Sequence, residues 1–220
     1  MKRITKLTQQ GFTLVELSVA TAVTGILVIV IMGFAINSFA QISIDSARSD
    51  LLREAQISLD TVTQDIRLSS NAYETSSLLD DNAPGGGDTW EGNAHTLILA
   101  VAAQDKDRNI IFADPLNYTS EKNNRIYFVN NGTLYRRTLA AEVEDNAVST
   151  SCPAGQTGCP PDSKLADNVR SFTVRYFDGN NNEVAPNDAR SIEATLVLQT
   201  RKYGQTINAE YTTRTVFRNE

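Results

Sequence analysis

The sequence predicts an α+β fold, with one long N-terminal helix packed on an antiparallel β-sheet domain. Three observations carry this reading. Residues 17–44 contain no charged side chain, and no proline falls between Phe12 and Ser69. Next, Ile44, Ala47, Leu51, Ala55, Leu59, Val62 and Ile66 recur every three or four residues, one apolar stripe on an amphipathic helix. Strand-like alternation is confined to the chain after residue 95.

The helix comes first. Residues 17–36 are 20 uncharged positions, roughly 30 Å of helix and the thickness of a bilayer's hydrocarbon core. With the amphipathic stripe added, a single proline-free rod of roughly 85 Å is sterically allowed. Lys2, Arg3 and Lys6 precede the apolar span, and acids become frequent only after Asp45. By the positive-inside rule the N-terminus stays cytoplasmic and the bulk of the chain is exported.

Residues 70–94 read as a loop, broken by Pro84-Gly85-Gly86-Gly87-Asp88, with the lone Trp90 covering a core edge. Strand-like runs follow at 96–101 and 109–113. Runs 125–129 and 133–138 flank Asn130-Asn131-Gly132, a type I′ hairpin signal. Residues 169–177 alternate through Phe172, Val174 and Tyr176. Residues 191–200 alternate through Ile192, Ala194, Leu196 and Leu198, and 206–217 can pair with them. The stretch between the hairpin and Val169 shows little periodicity and is expected on the surface, variable in conformation.

The formal charge is −6, from 20 basic and 26 acidic residues. Removing residues 1–11 deletes three bases and no acid, leaving 17 against 26, or −9. That balance suits a soluble exterior and disfavours nucleic acid as a partner. Arg136-Arg137 and Arg201-Lys202 read as solvated strand faces. The two cysteines, Cys152 and Cys159, lie in Cys-Pro-Ala-Gly-Gln-Thr-Gly-Cys-Pro-Pro with no histidine nearby to complete a zinc site. Outside the cytoplasm a disulfide is the expected use of such a pair, with two free thiols as the alternative.

A basic start followed by an apolar run has three explanations. A secretory signal peptide normally has an apolar region of about 7–15 residues; this one is longer, although Ser38-Phe39-Ala40 offers a small-x-small cleavage site. A plain signal anchor satisfies hydropathy. Neither accounts for Gly11-Phe12-Thr13-Leu14-Val15-Glu16-Leu17. These residues resemble the prepilin processing motif shared by type IV pilins and type II secretion pseudopilins. In that motif a short basic leader ends in glycine, and an acid stands at the fifth position beyond the cut. Gly25 also falls where the family's helix commonly has glycine, and Gly33 where many major pilins carry proline. The resemblance covers residues 1–35.

It implies cleavage after Gly11 by a prepilin peptidase, N-methylation of Phe12, and packing of the helix in a pilus or pseudopilus core. The implied partners are other pilins or pseudopilins, the peptidase, the inner-membrane assembly platform and membrane lipid. No cofactor is expected. The implied division is 1–11 as leader, 12–40 as the transmembrane and assembly half of the helix, 41–70 as its amphipathic half, and 71–220 as an extracytoplasmic β-rich pilin domain. The implied location is the cytoplasmic membrane, single-pass with the N-terminus inside, then an extracellular or periplasmic filament.

The residue chemistry agrees. Gly11 lets a peptidase approach its carbonyl closely. A carboxylate such as Glu16, carried to the bilayer centre, costs about 2.5–3.5 kcal/mol and needs a partner. Cleavage creates one, the α-amino group of Phe12 on a neighbouring subunit. A glutamate snorkelling to the headgroups is the plainer alternative.

Residues 165–172, 176–179 and 190–198, with Asp65-Ile66-Arg67, look like the W-type minor pilins and J-type pseudopilins. The cysteine loop and long polar insertions favour a minor pilin that initiates or caps a type IV pilus. A J-type pseudopilin is the alternative, and a membrane-anchored adhesin or DNA-binding tip a more distant one. No enzymatic function is expected. The single histidine, His95, reads as structural, and no nucleophile elbow, phosphate loop or histidine cluster occurs. Asp178, Asn180 and Asn182 form an oxygen-rich run that a calcium ion would suit, but their Gly spacing is ordinary turn chemistry.

Overall fold

The computed structural model describes residue 11 and residues 13–114 and 116–218. The chain divides into two units, residues 1–46 and 47–220, and helix α1 (Leu14–Leu68) contributes to both.

In the first unit α1 runs unbroken through Gly25 and Gly33. None of the described residues there is buried, although Leu17, Val19, Ile26, Val28, Ile31, Phe34 and Ile36 are large and apolar. Leaving such a stripe in water forfeits tens of kcal/mol, at about 1.5–3 kcal/mol per large side chain. This surface requires lipid or other helices around it.

The second unit holds the rest of α1 and the strands. Ala47, Leu51, Ala55, Ser58, Leu59, Val62, Asp65 and Ile66 form its buried face, the predicted stripe without Ile44 and with two polar insertions. The helix stops where Ser69 Oγ donates to the Ile66 carbonyl at 2.7 Å and the chain enters β1 (Ser69–Ala72). Residues 70–94 therefore do not begin as loop, because β1 pairs with β2 (Leu97–Ala102) through one bulge.

The predicted hairpin is β5 (Lys122–Asn130) and β6 (Thr133–Leu139). Its turn residues Asn131 and Gly132 have φ of 49° and 74°, as a type I′ turn requires. A short β7 (Ser163–Ala166) completes a sheet in the order β1-β2-β5-β6-β7, all antiparallel. The small pair β3 (Phe112–Asp114) and β4 (Thr119–Ser120) stands apart. The last sheet is β8 (Val169–Phe177), β9 (Ser191–Lys202) and β10 (Gln205–Val216), ordered β10-β9-β8.

The five-stranded sheet is covered on both faces, so β2 is buried throughout Leu97–Val101 instead of alternating. On one face Tyr127 reaches Asp65 of α1. On the other, Ile98, Ile126 and Leu139 pack with Trp90 and Ala83 from the loop after β1. Helix and sheets are tied by polar contacts too. Ser58 Oγ donates to the Leu165 carbonyl at 2.8 Å, Glu54 accepts the Asp167 amide at 2.7 Å, and Thr63 meets Thr215 of β10 at 3.3 Å.

Candidate functional site

Phe12, the expected new N-terminus, lies outside the described residues. Gly11 is exposed, in coil just before the helix. Thr13 is the residue that sequence reasoning missed. Its amide and hydroxyl both donate to Glu16 Oε2 at 2.9 Å, while the Glu16 amide donates back to Thr13 Oγ1 at 3.3 Å. That is a capping box, Thr-x-x-Glu, which satisfies two of the backbone donors a helix start leaves open. The signal was legible, since Ser or Thr followed three residues later by Glu marks a helix N-terminus. Glu16 thus has a partner within its own chain, and it sits in the first turn, where the helix dipole favours an acid.

This arrangement places a glycine in coil two residues before a threonine cap, then an acid in the first helical turn and a helix uncharged from Leu17 to Ile44. The segment matches the family described as the prokaryotic N-terminal methylation motif over residues 6–32. The chain carries a prepilin-type N-terminal methylation motif. No curated protein matches the chain. Among similar solved structures are a chain from a binary complex of two pseudopilins from the type 2 secretion system of Vibrio vulnificus and a type IV-like pilin from Thermus thermophilus. The Vibrio chain is 17% identical with a TM-score of 0.40, covering 76% of this chain and 95% of that one. The Thermus chain is 10% identical with a TM-score of 0.42, covering 76% and 96%. Helix α1 behind the methylation motif is long and apolar enough to cross a membrane, and motif and helix together mark a membrane anchor.

In the second unit two buried ion clusters fasten the domain. At the end of α1, Asp65 accepts from Arg125, from the Tyr127 hydroxyl, and from Arg136 at 3.3 Å. Burial and the adjacent carboxylate push the Tyr127 hydroxyl well above its ordinary value, so it stays a donor. Across the sheet, Arg137 donates from Nη1 to Asp80 at 2.8 Å and from Nε and Nη2 to Asp162 at 3.1 and 2.6 Å. Its guanidinium also lies 5.4 Å from the Trp90 ring centre and 5.7 Å from that of Phe128.

These clusters correct one expectation. Arg136-Arg137 is not a solvated strand face: Arg137 is 1% exposed and Arg136 is half-buried. Alternation along β6 sends the two guanidinium groups to opposite faces, and each meets carboxylates from distant segments. Arg201 and Lys202, by contrast, are exposed at the tip of β9.

Cys152 and Cys159 are joined by a disulfide, their Cα atoms 6.0 Å apart. The segment around them is less peripheral than expected. Cys152 is buried, and its amide and carbonyl bond to the Pro160 carbonyl and Asp162 amide. Ser151 Oγ donates to Asp162 at 2.7 Å, which links the disulfide loop to the Arg137 cluster. We expect Cys152→Ser with Cys159→Ser to destabilise the domain by about 2–3 kcal/mol, the chain-entropy value for so short a loop. Urea unfolding followed by Trp90 emission checks this, and an unchanged midpoint would count against a structural role for the bond.

Asp178 turns its carboxylate inward. Oδ1 accepts the amides of Asn180 and Asn182 at 2.8 Å each, and Oδ2 accepts the Asn182 side chain at 3.0 Å. These bonds hold the carboxyl below its usual range, the Asn182 side chain contributing most, and they tie three of its roughly four lone-pair sites to the turn. His95 Nδ1 lies 3.1 Å from the Phe172 carbonyl, a structural contact between the region before β2 and β8.

Proposed function

We propose that this chain is a minor pilin of a type IV pilus, incorporated through its N-terminal helix and helping to initiate or cap filament assembly. One observation carries the reading: a methylation motif heads a 55-residue helix in which no described residue before Ala47 is buried and which is built into a folded domain after it. Such a helix has a reservoir and a destination. Lipid stores the apolar half until the helices of neighbouring subunits replace lipid around it.

In this reading a prepilin peptidase cuts after Gly11, and Phe12 becomes an N-methylated terminus. Lys2, Arg3 and Lys6 keep the leader cytoplasmic, and residues after the span face the envelope exterior. An inner-membrane platform extracts the subunit, and the other partners are pilins or pseudopilins. The Phe12 amine then pairs with Glu16 of an adjacent subunit. The role is structural and calls on no catalytic residue. The disulfide loop and the long insertions around it favour a surface-displayed pilin over a secretion pseudopilus.

Mass spectrometry of the N-terminus, on protein made in cells with prepilin peptidase, is the direct test. The expected chain begins with N-methyl-Phe12. A chain beginning at Gln41 would establish signal-peptide processing instead, and an untrimmed chain would exclude both.

A further inference from the structure

The Arg137 cluster adjoins a cleft of about 560 Å³, within the usual size of small-ligand sites. It forms where three segments distant in sequence meet: the loop after β1, the β5–β6 hairpin and the disulfide loop. Partly exposed Phe128 and Tyr135 supply the aromatic wall, stacked at 5.9 Å and 27°, and buried Trp90 backs it with its ring centre 4.6 Å from that of Phe128. Thr96 and Asn130 add neutral hydrogen-bonding groups, and Pro153 belongs to the loop closed by Cys152–Cys159.

The charges of the cleft decide the ligand class. Among the described residues the charged ones lining it, Arg137 and Asp162, are bonded to each other, and the second contact of Arg137 is Asp80. The cleft therefore offers no unpaired charge to an ion. A wholly apolar ligand would leave the Asn130 amide and Thr96 hydroxyl without partners on desolvation, which opposes its binding. A neutral ring with an apolar C–H face and a hydroxyl-bearing edge satisfies both halves. Its polarised C–H bonds complement the negative faces of the aromatic rings.

The geometry points to a neutral saccharide as the ligand of this cleft. A pyranose ring lies against Tyr135 and Phe128, and its hydroxyls are read by Asn130 and Thr96. The two carboxylates on Arg137 and the disulfide hold the walls in place beforehand, so little ordering is left for the binding step.

Trp90 is the sole tryptophan and lines the cleft, so its emission reports occupancy directly. The full chain, in a non-glycosidic detergent, is titrated with cellobiose, maltose and N,N′-diacetylchitobiose. At least one should give a saturable emission change with a dissociation constant in the millimolar range. Tyr135→Ala should weaken it about tenfold or more, and Asn130→Ala, an exposed position, by about threefold with the fold intact by circular dichroism. Linear, unsaturable responses to all three sugars overturn the proposal. So does full affinity in both variants, and so does saturation by a hexaproline peptide where the sugars give none.

Discussion

Glu16→Ala should be cleaved after Gly11 about as well as the native chain, yet be recovered in sheared filaments at least tenfold less. The native carboxylate has two uses, and their magnitudes separate them. In cis it completes the capping box with Thr13, a contact worth about 1 kcal/mol. In trans it is proposed to neutralise the Phe12 amine of a neighbour. An unpaired charge deep among apolar helices costs about 2.5–3.5 kcal/mol, roughly a hundredfold in partition. The trans use should dominate. Glu16→Gln distinguishes the two, because glutamine also serves the capping box but carries no charge. We expect Glu16→Gln to be nearly as defective as Glu16→Ala, measured by immunoblot of filament and membrane fractions. Native levels of Glu16→Gln in filaments would remove the charge-pairing account.

Arg137→Met should cost the domain about 3–5 kcal/mol, more than loss of the disulfide. The guanidinium is 1% exposed at its side chain and holds Asp80 and Asp162, themselves 3% and 4% exposed. Its removal leaves two buried carboxylates without their counter-charge, the case in which breaking a buried pair is most costly. Urea unfolding followed by Trp90 emission measures the loss directly, since Trp90 Nε1 donates to Asp80 at 2.6 Å. A loss below about 1 kcal/mol would show that water reaches the site.

Acid should act on the same cluster. Burial pushes the Asp80 carboxyl up, but hydrogen bonds from Trp90, the Asn82 amide and Arg137 outweigh it, so the folded value lies below the ordinary 3.8. The unfolded chain thus binds this proton more readily. The stability Asp80 contributes is complete above its unfolded value and is lost as pH falls through the folded one. In Arg137→Met that acid dependence should shrink.

The N-terminal reading rested on features that are written locally. Helical spacing of Ile44, Ala47, Leu51, Ala55, Leu59, Val62 and Ile66 needs only a 3.6-residue period, and every member from Ala47 onward is buried, while Ile44 is half-buried. The Asn131-Gly132 turn likewise follows from the positive φ that glycine and asparagine tolerate. The strands read from alternation appear within a few residues of expectation. Those missed, β1, β4 and β7, span four, two and four residues and carry no period of their own. Pairing with β2, β3 and β6 makes them strands.

Arg137 shows where local rules end. It sits beside Arg136 in a strand with alternating polarity, which reads as a wet face. Its carboxylates arrive from 57 and 25 positions away, and no window of sequence contains both. The same holds for Asp65, whose partners are 60 to 71 positions distant. The anchor helix, its capped start and the β-hairpin turn were encoded in neighbouring residues, because backbone period, helix capping and glycine's left-handed freedom act over a few positions. Which charges are buried, and the aromatic cleft beside them, emerged once distant segments met, because burial and ion pairing depend on what the fold brings within a few ångströms.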